Sequence, residues 1–163
     1  MVKVSKPPDA SNRAIRFEKA ARVISQSILR NRPINKGGSN CPILVEGIKD
    51  ERALKALGFS GIIEKLNRGF NRSKLIAYLY ETYGTINEID LKPPLIILMD
   101  WDRTGKDIQK FLRDRLMAMD IPIDEEMYTI LLKVMKPESR TVESMLPYAE
   151  ILHPLIEEFI QIS

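Results

Sequence analysis

Cysteine and histidine are nearly absent from this chain of 163 residues, which has one of each, Cys41 and His153. A single cysteine excludes an internal disulfide and a cysteine-based zinc site. A single histidine removes most transition-metal sites and most Ser-His chemistry. No apolar run approaches the ~20 residues of a membrane span, and the N-terminus has no apolar signal region. The expectation is a cytoplasmic protein without a membrane role. The length suits one domain, and a hydrophobic fraction of 44% is enough to fill a core without covalent or metal cross-links.

Charge is unevenly spread. The first 36 residues hold nine basic side chains against Asp9 and Glu18, a net +7, while the remainder is net −4. A basic arm on a mildly acidic body is a footprint for a phosphate-backbone partner, and Arg13, Arg16 and Arg22 are its candidate contacts. The same pattern also suits a terminal helix with a solvated basic face.

Pro94 to Gly105, PLIILMDWDRTG, is the most informative stretch. A short apolar run bounded by prolines and a turn reads as a strand buried on both faces. Asp100 and Asp102 then lie at its C-terminal end, the edge where open α/β sheets bind ligands. Cys41 to Asp50, CPILVEGIKD, has the same grammar and ends in Glu46-Gly47. If the two strands are parallel neighbours, Glu46, Asp100 and Asp102 converge. Carboxylates that close repel unless protons or a cation neutralise them. Oxygen-only ligation favours a hard cation, Mg²⁺ first, with Mn²⁺ as a substitute. Lys49, Arg103 and Lys106 flank this edge as candidate phosphate contacts. Asp50 reads equally as a helix-start charge.

The remaining pattern predicts a helix over about 12–30, a linker over 31–40 and a first strand over 42–46. A helix over 49–57 stops at Gly58, and a second strand covers 61–66. The loop 67–72 carries Arg68, Phe70 and Arg72, with Phe70 as a stacking candidate. A helix over 72–83, capped by Asn71, comes next. After the Asp-x-Asp turn come a helix over 106–119 and a fourth strand over 128–135, whose apolar run can also be read as helix. Helical segments over 141–163 are divided by Pro147 and Pro154, each placed at a helix start. The β-α alternation implies a parallel sheet with helices on both faces. The expected units are 1–40, a basic arm and linker; 41–146, the α/β domain; and 147–163, a helical extension.

VEGIKDERAL at 45–54, followed by ILMDWDRTG, resembles the Toprim domain shared by topoisomerases, bacterial-type primases, OLD-family nucleases and ribonucleases that mature ribosomal RNA. Glu46-Gly47 matches the first motif, and Asp100, Asp102 and Gly105 match the second. Asp50 matches an acid of primase-like members, and Pro137, Arg140 and Glu143 can be laid on their third patch. Thr104 stands where topoisomerases usually carry a further acid. The resemblance implies a four-stranded Toprim sheet, Mg²⁺ held by Asp100 and Asp102, and Glu46 as ligand or general acid/base. Asp50 and Glu143 become possible additional acids. A Mg²⁺-dependent nuclease acting on RNA or DNA is the leading expectation. The alternative is a non-catalytic nucleic-acid-binding module working with a protein partner. A haloacid-dehalogenase-type phosphatase would use Asp100, Asp102 and Thr104, but the chain after Asp102 offers no acidic pair at a strand end for it.

Overall fold

The computed structural model describes residues 10–67, 69 and 71–163. Helix α1 spans Ala10–Asn31, strand β1 Ile43–Val45, helix α2 Ile48–Leu57, strand β2 Ile63–Lys65 and helix α3 Arg72–Tyr83. Strand β3 is Ile96–Ile97, followed by α4 Arg103–Met117, α5 Glu126–Val134 and α6 Ala149–Gln161, with 3-10 turns at Ile34–Lys36 and Glu143–Tyr148. The strands lie in the order β2-β1-β3, all parallel. No helix among the described residues is long and apolar enough to cross a membrane.

Strand alternation divides the core in two. Ile43, Val45, Ile96 and Leu98 face one side, against α1, α2, α5 and α6. Leu44, Ile97 and Met99 face the other, against α3 and α4. Successive strand residues point to opposite faces, so β1 and β3, buried on both faces, hold two helical layers apart, while β2 is partly exposed. The stops expected from sequence are present: Gly58 ends α2 in the left-handed region at φ 117°, and Asn71 caps α3 by accepting from Lys74 N–H at 2.8 Å.

The expected four-stranded sheet is corrected to three strands. Residues 128–135 fall largely in α5, where Met127, Tyr128, Leu131 and Val134 are buried at helical spacing. The place beside β3 is taken by a single parallel bridge, Ile96 to Asp124. Asp124 N–H donates to Leu95 O at 2.8 Å, and Ile97 N–H donates to Asp124 O at 3.1 Å. Beyond it the buried side chain of Gln109 stands in for a strand. It accepts from Met99 N–H at 3.0 Å and donates to Ile97 O at 3.3 Å. Backbone groups that a fourth strand would have satisfied are thus satisfied by a stub and one amide side chain. The two prolines placed at helix starts are also corrected: Pro147 lies inside the Glu143–Tyr148 turn and Pro154 inside α6. Pro154 and Glu150 are both exposed, so water can serve the carbonyl that lacks its partner.

Helix α1 is built into the larger core through Phe17, Ala20, Ala21, Val23, Ile24 and Ile28. Its C-terminus is sewn to the sheet by Asn31. That side chain donates to Cys41 O (2.8 Å) and Ile62 O (3.0 Å) and accepts from Gly61 N–H (2.9 Å). Arg30, also buried, donates to Asp90, to Asp124 and to Pro93 O. On the opposite layer, Tyr78 and Tyr83 both donate to the buried Glu64 carboxylate, at 2.6 and 2.5 Å.

Asn31→Ala removes all three bonds; Ile62 O keeps the Ile43 N–H as donor, while Cys41 O and Gly61 N–H lose their partner, and the loss should cost about 2 kcal/mol. A urea titration would read it as a lower midpoint at unchanged slope, and an unmoved midpoint would mean that Cys41 O and Gly61 N–H find other partners. A second expectation concerns acid. Arg16 hydrogen bonds hold the Glu138 carboxyl below its usual range. At Asp90 burial pushes upward, but the Arg30 hydrogen bonds and the Lys92 amide outweigh it. Carboxylates depressed in the folded state stabilise it above their unfolded-state values near 4, and this is lost as pH falls through the folded values. Glu138→Gln should therefore flatten the acid limb of melting temperature against pH below about 4. An acid limb as steep as that of the wild type would exclude the pair from acid stability.

Candidate metal centre at the carboxyl edge of the sheet

β1 and β3 are parallel neighbours, with Ile43 beside Ile96 and Leu44 beside Ile97. Continuing that register sets Glu46 beside Met99, one residue before Asp100. The carboxyl ends of both strands therefore open on the same rim, as the two motifs require. Asp100 and Asp102 are half-buried, and between them Trp101 turns into the core at 2% exposure.

Each aspartate is held by a backbone amide. Asp100 Oδ1 accepts from Val142 N–H at 2.7 Å. Asp102 caps α4, accepting from Gly105 N–H at 2.8 Å. Asp50, in the first turn of α2, accepts from Gly47 N–H at 2.9 Å. The glycine of the second motif has a steric cause. A Cβ on Gly105 would lie 2.0 Å from Asp100 O and 2.7 Å from Asp100 Cβ, so α4 can start this close to Asp100 only without a side chain there.

Burial pushes the Asp100 carboxyl up to about 7, against the Val142 hydrogen bond, and the charges of Asp50, Glu46 and Asp102 push it further the same way. Asp50 is raised too, first by burial and then by Glu143, with the Gly47 amide opposing. Glu46, Asp50, Asp100 and Asp102 thus share one field, with Glu143 at its margin beside Asp50. The donors are all oxygen, the chemistry that suits Mg²⁺ or Mn²⁺. The second oxygens of Asp100 and Asp102, and the whole Glu46 carboxylate, have no hydrogen-bond partner among the described residues. As they stand, no three acidic, histidine or cysteine side chains among the described residues form a group that could hold an ion. The donors fit a hard cation in kind and in side, and such an ion would have to draw them inward.

No family model matches the chain. Over 106 residues it is 34% identical to a UPF0292 protein of Thermococcus sibiricus, a match covering 65% of this chain and 75% of that protein. The chain belongs to the UPF0292 family. A protein of Aquifex aeolicus with a solved structure is similar at 21% identity and a TM-score of 0.47, over 84% of this chain and 98% of that one.

The basic residues of this UPF0292 chain fall into two groups. Lys49, Arg103 and Lys106 are exposed at the starts of α2 and α4, beside the carboxylates, and none has a charged or aromatic partner among the described residues. The α1 arginines are engaged on the protein itself. Arg13 lies over Phe17 and Tyr148, 4.9 and 5.6 Å from the ring centroids. Arg16 pairs with Glu138, and Arg22 lies 5.0 Å over Phe159. Arg72 lies 4.8 Å over Phe111. Arg68 and Phe70 are outside the described residues.

Sequence reasoning missed the contribution of the 135–145 loop. Trp101 N–H donates to Arg140 O at 2.9 Å, Trp101 Nε1–H donates to Ser139 O at 2.5 Å, and Val142 N–H reaches Asp100. The one signal for it was the Pro137, Arg140 and Glu143 pattern, which points at side chains. The loop acts chiefly through its backbone.

A carboxyl raised to about 7 binds a proton in the folded state that the unfolded chain has already lost above about pH 4. Stability in chelator should therefore fall as pH rises from about 4 to 7. Asp100→Asn keeps an acceptor for Val142 N–H and removes the charge. It should melt above the wild type at the upper end of this range and flatten the decline. Equal or lower melting there would show that Asp100 is not under electrostatic strain.

Proposed function

We propose that this chain is a Mg²⁺-dependent nucleic-acid-processing protein that cleaves phosphodiesters in RNA or DNA. The observation that carries the reading is the convergence of Glu46, Asp50, Asp100 and Asp102 from the carboxyl ends of two adjacent parallel strands and the starts of the helices that follow them, with burial and mutual repulsion raising Asp100. The likeness of these motifs to the Glu-Gly and Asp-x-Asp pair of Toprim proteins supports it. Bound Mg²⁺, held by Asp100 and Asp102, would neutralise a phosphate oxygen and stabilise the developing charge at phosphorus. Glu46, without a partner, serves as general acid/base, exchanging a proton with the attacking or leaving oxygen. Lys49, Arg103 and Lys106 bind the flanking phosphates, aided by the amides that open α2 and α4. The free, buried thiol of Cys41, pushed up to about 12 chiefly by burial, suits a reducing cytoplasm.

A second reading has one observation in its favour. Asp50 and Asp102 each hold the start of a helix, so the fold alone gives them a task. In that reading the chain is a non-catalytic nucleic-acid module acting with a protein partner.

The test incubates wild type, Asp100→Asn and Glu46→Gln with labelled RNA and DNA pools, in Mg²⁺, in Mn²⁺ and in chelator. Cleavage should require metal and fall at least about 100-fold in both variants. Metal-independent cleavage, or full activity in both variants, would overturn the catalytic assignment. Binding that survives chelator without cleavage would select the second reading.

A further inference from the structure

The 135–145 loop is fastened at both ends of its contact with the acidic edge. It receives both Trp101 hydrogen bonds on Ser139 O and Arg140 O and gives Val142 N–H to Asp100. Beyond Asp100, the buried Val142 and Met145 anchor it in the core. Ser139, Thr141 and Ser144 cross-link it internally: Ser139 Oγ lies 2.7 Å from Ser144 Oγ, and Ser144 Oγ donates to Thr141 O at 2.9 Å. From outside, α2 packs against its Glu143–Tyr148 end, where Asp50 takes a hydrogen bond from the Glu143 backbone, and α1 reaches its other end at Glu138, through Arg16 and, at 4.0 Å, Arg13. Arg16 donates from Nη1 to Glu138 Oε2 (2.6 Å), from Nη2 to Glu138 Oε1 (2.7 Å) and from Nη1 to Val134 O (2.8 Å). Glu138 is only 10% exposed and Arg16 22%. A two-pronged, charge-assisted fork on a largely shielded carboxylate is among the more rigid side-chain contacts a protein makes.

We infer that Arg16 is a positioning residue of the acidic site: through Glu138 it sets the loop whose Val142 amide orients Asp100. This inference rests on the metal-site reading above and assigns α1 a task within it. Arg16 makes its hydrogen bonds to Glu138 and Val134 O and to no carboxylate of the site. It fixes Glu138, whose neighbour Ser139 is tied to the tryptophan between the two aspartates. Loosening the fork frees the loop to rock about its anchor at Met145. Asp100 then loses the hydrogen bond that selects its rotamer, and the pair Asp100–Asp102 no longer presents its free oxygens together. Partners of this outer kind commonly change metal affinity by about 10–100-fold.

Mn²⁺ affinity, read by electron paramagnetic resonance, and the emission of the one tryptophan, Trp101, test this in wild type, Arg16→Ala, Arg16→Lys and the exchanged pair Arg16→Glu with Glu138→Arg. Arg16→Ala should weaken Mn²⁺ binding about 10-fold or more and red-shift Trp101 emission while keeping its helical circular dichroism. The exchanged pair should recover most of both losses. Arg16→Lys, which keeps the charge without the fork, should fall between. A folded Arg16→Ala with wild-type affinity and emission would overturn the inference. Should Arg16→Ala not fold, wild-type behaviour of Arg16→Lys would overturn it equally. A wild type that binds no Mn²⁺ would overturn the metal reading itself. The positioning inference would then be decided by hydrogen exchange at the Val142 amide, faster in Arg16→Lys if it holds and unchanged if it does not.

Discussion

Glu46 and Asp100 meet because β1 and β3 run side by side in the same direction. Parallel pairing puts both carboxyl ends on one edge, and the Ile43–Ile96 register leaves the acidic residues nearly level. An antiparallel pair with the same residues would separate them by the length of a strand. Strands of two and three residues hold this register because every one of their side chains in β1 and β3 is buried between two helical layers. Slipping by one residue would exchange the contents of the two layers, which the alternation of large side chains forbids.

That edge is electrostatically uncomfortable by construction. Four carboxylates share it, and the fold answers their charge with backbone amides: Gly47 for Asp50, Val142 for Asp100 and Gly105 for Asp102. Amides are fixed dipoles, so they orient the carboxylates without neutralising them. The nearby cations that could neutralise them, Lys49, Arg103 and Lys106, stay exposed and have no charged partner among the described residues. Elsewhere many basic residues are matched: Arg16 with Glu138, Arg30 with Asp90 and Asp124, Arg113 with Glu125. The contrast separates a structural economy of paired charges from an edge left open to an outside cation and an outside anion.

Helix α1 belongs to the first economy. Its charge pattern in sequence suggests an arm for a phosphate backbone, yet one face is core and its described arginines lie on aromatic rings or carboxylates. Its consequence for the site is mechanical and runs through Glu138. The third strand's missing neighbour is a comparable case, where Asp124 and Gln109 complete what regular structure leaves open. In both, side chains remote in sequence finish a job that the local pattern cannot announce.

The sequence by itself determined the strands β1 and β3, the stop at Gly58, the Asn71 cap and the two acidic motifs, because each rests on short-range chemistry: apolar runs, backbone freedom and local hydrogen bonds. Residues 128–135 were ambiguous. A continuous apolar run satisfies either period, and only packing of Met127, Leu131 and Val134 into the core beside α1 selects a helix. Tertiary structure alone decided the number of strands, the pairing of Arg16 with Glu138 and the hold of Val142 on Asp100. These contacts join residues 42 to 122 positions apart, and no local preference encodes a partner at that distance.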